Sequence, residues 1–171
     1  MNQFIDILKG GDLRSTGQSN KVVSLIKNQE SFDELFKEIF NADRIVVMRT
    51  ADAIEKITLN HPEYLGHHKQ DILQLCNTAK NIELKWHLAL LVSRLSLTKI
   101  EIGSVWQTLT SWATDPNESK IVRVNSMQGL FNLLTQHKEL KQDFNLTVNK
   151  IEEENIPSIN ARIRKLKDAS R

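Results

Sequence analysis

The chain has 171 residues, of which 40% are hydrophobic and 26% charged, with a formal net charge of +2. That length allows one domain or one short array with a buried core, and that balance excludes a disordered polar chain. The net charge is too small to mark a nucleic-acid binder by itself, and no apolar run approaches the roughly 18 residues needed to cross a bilayer.

The opening stretch, "MNQFIDILKGGD", lacks a basic region followed by a long apolar run, so no secretory leader is expected. The sequons at Asn117 and Asn145 then go unused. The single cysteine, Cys76, cannot form an internal disulfide, and its neighbours Ile72 and Leu75 predict a buried thiol. A reducing cytoplasm is the expected location.

In chain order, "FIDILK" predicts one or two turns of helix, closed by Gly10 and Gly11. The loop "GGDLRSTGQSN" holds three of the six glycines. Next, "NKVVSLIKN" turns Val22, Val23, Leu25 and Ile26 to a core, with Thr16 or Ser19 available to cap it. "FDELFKEIF" places Phe32, Leu35, Phe36, Ile39 and Phe40 on one helical face. "DILQLCNTA" does so with Ile72, Leu75, Cys76 and Ala79, and "SVWQTLTSWA" with Val105, Trp106, Leu109, Trp112 and Ala113. A weaker pair, "FNLTVNKIEEE" and "IPSINARIRKLKDA", closes the chain. Short connections at 41–43, 78–81, 114–117 and 155–158 carry turn residues, and Pro62, Pro116 and Pro157 all fall at predicted boundaries. No segment alternates with period two, so the fold class is all-α.

Between these stretches lies a repeat. "VVMRTADAIEKI" (46–57), "LKWHLALLVSRL" (84–95) and "VRVNSMQGLFNL" (122–133) superpose without gaps at a spacing of 38 residues. Val46, Leu84 and Val122 coincide, as do Ile54, Val92 and Leu130, and Ile57, Leu95 and Leu133. A two-helix unit of this length cannot cover its own apolar face, so stacked units bury a common core. The expectation is a right-handed α-solenoid in one domain, 1–171. It has an N-terminal helical cap over 1–30 and repeats near 31–60, 65–97, 99–136 and 138–169.

The unit length and the pattern D-x-x-x-x-V-[RK]…A resemble HEAT repeats. Lys85 and Arg123 fill the basic position after the helix start, and Ala53 and Gly129 are small where helices touch. Val47 replaces the basic residue in the first unit, which interrupts any acid–base ladder there. Through "GGDLRSTGQSN", "MRTADAIEKIT", "WHLALLVSRL" and "ARIRKLK" the chain is similar to small bacterial HEAT-repeat proteins of unassigned function. This resemblance implies the fold and carries no activity. DNA glycosylases that excise alkylated bases also use HEAT-like repeats, a link at the level of fold alone.

Candidate chemistry is sparse. A nucleotide loop needs G-x-x-x-x-G-K-[ST] after a strand, and Gly10–Asn20 has neither. That loop reads first as a helix cap. The N–H groups of Thr16–Asn20, with Arg14 nearby, offer a second reading as a carboxylate or phosphate contact. Asp12 and Arg14 exceed what capping requires, and are expected to form a local salt bridge or a hydrogen bond to the first repeat. His67 and His68 are adjacent and on a helix point about 100° apart, and no histidine is followed by glutamate, so no metal site is expected. No catalytic residue and no cofactor are predicted. "EEE" at Glu152–Glu154 reads as a solvated helix end.

Trp106 and Trp112 lie in a core-spaced stripe, whereas Trp86, beside Lys85 and His87, can serve either the core or a surface. The columns Arg49/His87/Asn125 and Lys56/Arg94/Asn132 recur at 38 residues on the second helices, and Arg162 and Arg164 extend them. Residues 1–85 carry 11 Lys+Arg against 12 Asp+Glu, and residues 86–171 carry 12 against 9. The excess gathers in "ARIRKLKDASR", either a solvated helix or a basic patch that meets an acidic partner. The functional expectation is a non-enzymatic scaffold that binds a protein in a concave groove through Arg49, Lys85, Trp86, His87, Arg94 and Arg123, with Asp12 and Arg14 at one end. The alternative is a DNA-binding or DNA-repair protein. A membrane partner is not expected.

Overall fold

A computed structural model of the chain describes residues 3–12 and 16–169. Among them are ten α-helices and no strand: α1 Gln3–Leu8, α2 Ser19–Leu25, α3 Gln29–Phe36, α4 Arg44–Ile57, α5 Lys69–Thr78, α6 Ile82–Leu91, α7 Lys99–Thr114, α8 Lys120–Leu133, α9 Lys141–Glu152 and α10 Pro157–Ala169. The chain divides into two compact units, Met1–Ile72 and Leu73–Arg171, with the boundary inside α5.

In the first unit, α3 and α4 form the helix pair, while α1 and α2 pack on α4. Asn28 starts α3 with a capping box: its Oδ1 accepts from Ser31 N at 2.9 Å, and Ser31 Oγ accepts from Asn28 N at 3.2 Å. Asp43 Oδ1 accepts from Ile45 N at 2.8 Å to open α4. Phe4, Leu8, Val22, Phe32, Leu35 and Ile54 are fully buried together. Each contributes about 1.5–3 kcal/mol through lost apolar surface.

Three local expectations fail here, the first being that Leu25 faces the core: α2 ends at this residue, and it is 40% exposed. The stripe through Phe40 assumes a continuous α-helix, but the chain tightens to a 3₁₀ turn at Lys37–Phe40. Three residues per turn instead of 3.6 rotates the last side chain off the stripe, and Phe40 is 57% exposed. Nor does Thr16 or Ser19 cap α2: Gln18 is the N-cap and makes no side-chain cap bond. Ser19 is buried, and its hydroxyl donates to Asp52 on α4.

In the second unit, α7 and α8 form a hairpin, α9 and α10 another, and α6 supplies the second helix of the unit before. Second helices lie side by side, α6 on α8 and α8 on α10, and α7 lies on α9. All nine residues of the three repeat columns are buried, from Val46 to Leu133. At Gly129 α8 comes close to α6: a Cβ there would stand 2.3 Å from the carbonyl oxygen of Ala89.

Candidate functional site

The glycine loop closes on Arg49. This side chain projects from α4, is 4% exposed, and donates through Nη1 to the carbonyls of Leu8 at 2.7 Å and Gly10 at 2.5 Å. Its Nη2 reaches Asp12 O at 3.4 Å. Gly10, Gly11 and Gly17 all have positive φ, at 80°, 79° and 56°. A Cβ on Gly17 would lie 2.7 Å from Arg49 Cζ, and one on Gly11 2.9 Å from Nη2. The glycines therefore let the backbone wrap a guanidinium, with two of them standing where any side chain would meet it. The last carbonyl of α1, on Leu8, has no helical partner and receives one of those N–H groups, and loop carbonyls receive the others. Asp12 joins through its backbone. Arg14 lies outside the described residues.

Beside this cradle, Asp52 binds two partners. Ser19 donates to it, and Lys56 Nζ lies 2.6 Å from Oδ2 and 2.8 Å from Asn20 Oδ1. Lys56 thus ties α2 to α4. Arg49 and Lys56 serve the inside of the first unit.

In the second unit the basic positions form the expected ladder, although the acids come from later in the chain. Lys85 Nζ lies 2.5 Å from Glu118 Oε2, and also 5.6 Å from the centre of the Trp112 ring. Arg123, 1% exposed, donates from Nε to Ala113 O at 2.9 Å and from Nη2 to Glu154 Oε1 at 2.7 Å. Glu118 and Glu154 both stand just before the next second helix. Glu152 pairs with Lys167 at 2.5 Å. The run "EEE", expected to be a solvated end, thus supplies two structural ion pairs.

The recurring columns hold neighbouring helices together. His87 is 6% exposed, against the edge of the Trp86 ring. Asn125 Nδ2 donates to Trp86 O at 3.1 Å, between α8 and α6, and Asn132 Nδ2 to Ser93 Oγ at 3.2 Å, between α8 and the 3₁₀ turn that follows α6. Arg94, in the 3₁₀ turn Val92–Arg94, is partly buried and engaged. Trp86 is also partly exposed. Trp106 is buried, its Nε1 donating to Asp143 Oδ2 at 2.6 Å.

Groups with chemical potential are quiet. Burial pushes the Cys76 thiol up to about 12. His67 and His68 do not diverge as an α-helix would make them. Within the 3₁₀ turn Pro62–His68 both face Asp33, His68 Nε2 at 2.7 Å and His67 Nδ1 at 3.2 Å. His68 also stacks on Phe36, centroids 3.8 Å apart. Burial works against the Asp33 carboxylate, but bonds from Gln29, His67 and His68 outweigh it and hold its pKa below the usual value. Among the described residues no group of three or more His, Cys, Asp or Glu could hold a metal ion, and no helix is long and apolar enough to cross a membrane.

An open concavity lies on the second helices. Between α8 and α10 a groove of about 380 Å³ is lined by Lys120, Ile121, Val124, Ala161, Arg162 and Lys165. Arg162 and Lys165 belong to the terminal basic run. Lys120 and Ile121 were not legible as partners of that run, because 41 to 45 residues separate them from it and no shared motif joins them.

Hairpins whose equivalent helices pack side by side define a helical-repeat protein of the α-solenoid class. A family model described as a HEAT repeat domain matches residues 13–169. The chain belongs to the HEAT-repeat family. No curated protein and no solved structure matches it.

Proposed function

We propose that this protein is a non-enzymatic interaction module that binds a partner protein on the outward face of α6 and α8. One observation carries the reading: Trp86 and Ile121 keep apolar surface in contact with water on the same pair of packed helices, with Ile121 44% exposed. Partly exposed aromatics set in a polar surround are common anchors of protein interfaces. Trp86 and Arg94 make the contacts in this reading, while Lys85, His87 and Arg123 hold the helices from behind. Asp12 and Arg49 brace the first unit. The engaged carboxylates and the high thiol pKa favour binding over catalysis.

Photo-crosslinking tests this. A benzophenone amino acid at position 86 or 94 is expected to yield discrete protein adducts in cells, and the same group at the exposed Leu146 of α9 none. Adducts from all three positions, or from none, would refute the proposed face. The DNA-binding alternative is separated by titrating duplex DNA: flat anisotropy at low salt is expected, and a salt-dependent rise would favour the alternative.

A further inference from the structure

We propose that the groove between α8 and α10 docks an acidic, amphipathic segment of a partner protein. The inference rests on the second-helix face being a protein-binding surface, and adds the chemistry of what binds there. The floor is aliphatic, from Ile121, Val124 and Ala161, and Ile121 is 44% exposed. Lys120, Arg162 and Lys165 surround it. None of these three cations pairs with a carboxylate among the described residues, and Arg162 donates only to the neutral amide of Gln128, at 2.8 Å. Nearby acids are committed elsewhere: Glu118 to Lys85, Glu154 to Arg123 and Glu152 to Lys167.

That pairing leaves an uncompensated positive rim around an apolar floor. A wholly apolar partner would strip water from three cations without replacing it. A bare polyanion would leave the aliphatic floor wet, and three cations are few for tracking a duplex. A segment alternating aliphatic and acidic side chains satisfies both surfaces. Its carboxylates sit on Lys120, Arg162 and Lys165, and its leucine-sized side chains cover Ile121 and Val124.

The test uses the full chain and a fluorescein-labelled peptide of glutamate–glutamate–leucine–alanine repeats, read by anisotropy at low salt. Saturable binding is expected. The Lys120→Glu/Lys165→Glu variant should weaken it about tenfold or more, the scale of losing interfacial charge pairs. Ile121→Ser should weaken it with no change in charge. Lys138→Glu/Lys141→Glu makes the same charge change elsewhere and should leave binding intact, with circular dichroism confirming the fold of every variant. Absence of binding overturns the proposal. So does equal loss in the control pair, or equal binding of polyglutamate or duplex DNA, each meaning that charge alone acts. Crosslinks from 86 and 94 without peptide binding would remove this inference and leave the proposed function standing. Peptide binding without those crosslinks would do the reverse.

Discussion

Arg49 shows how one residue's role follows from its partners. Its guanidinium satisfies the last carbonyl of α1 and a carbonyl of the loop after it, neither of which has a helical N–H to receive. Arg49→Met keeps much of the volume and removes the donors, so it should lower stability by about 2–3 kcal/mol, read by urea unfolding. Gly17→Ala should also destabilise, through its φ of 56° and the 2.7 Å approach to Cζ. In the Arg49→Ala background the steric part disappears, so the two effects should fall short of additive. Equal cost in both backgrounds would mean the cradle is not built around Arg49. Cys76 provides a second residue-scale check. With its pKa near 12, native protein should react with a disulfide reagent far more slowly than urea-unfolded protein across the mildly alkaline range. Matching rates would place the thiol at the surface.

At the scale of elements, contacts between second helices decide the packing. Gly129→Ala gains about 1 kcal/mol of helix propensity. It also puts a methyl 2.3 Å from Ala89 O, a backbone atom that cannot rotate aside. Overpacking costs about 1–3 kcal/mol, so the variant should be net destabilised, and a net gain in urea midpoint would show that α6 and α8 can separate freely. The ladder predicts a cost for losing either partner of its buried pair. Arg123→Ala leaves Ala113 O and Glu154 without their donor inside the structure and should cost about 3 kcal/mol. Glu154→Ala should cost at least as much, because it leaves the buried Arg123 guanidinium with only the Ala113 carbonyl and no counter-charge, whereas Glu154 left alone can turn to water.

At the scale of the whole molecule, three side-chain carboxylates among the described residues are held below their ordinary pKa values. For Asp33, the bonds from Gln29 and two histidines overcome burial, while Glu63 and Glu139 accept backbone bonds first and then bonds from His61 and His137. A depressed folded pKa gives stability that is fully present above the unfolded value, 3.8 for Asp33, and is lost as pH falls through the folded one. Stability should therefore decline in acid, and Asp33→Asn should destabilise at neutral pH more than in acid. An equal effect at both would mean that Asp33 acts without its charge. The family match belongs to the same scale, since it spans residues 13–169 and rests on no single side chain.

By itself the sequence determined where the oily columns lie. Val46, Ile54 and Ile57 and their counterparts are buried because helical spacing and a repeated length leave them no other face. It also marked the basic ladder positions and the glycine loop. Only the tertiary structure decided what the polar residues meet. Arg49 could have faced water or a ligand, and it faces α1 because distant chain carries unpaired carbonyls to it. Lys120 and Lys165 became one rim when α8 and α10 lay side by side. Apolar burial follows from local pattern, whereas a polar side chain takes its role from whichever partner the fold delivers.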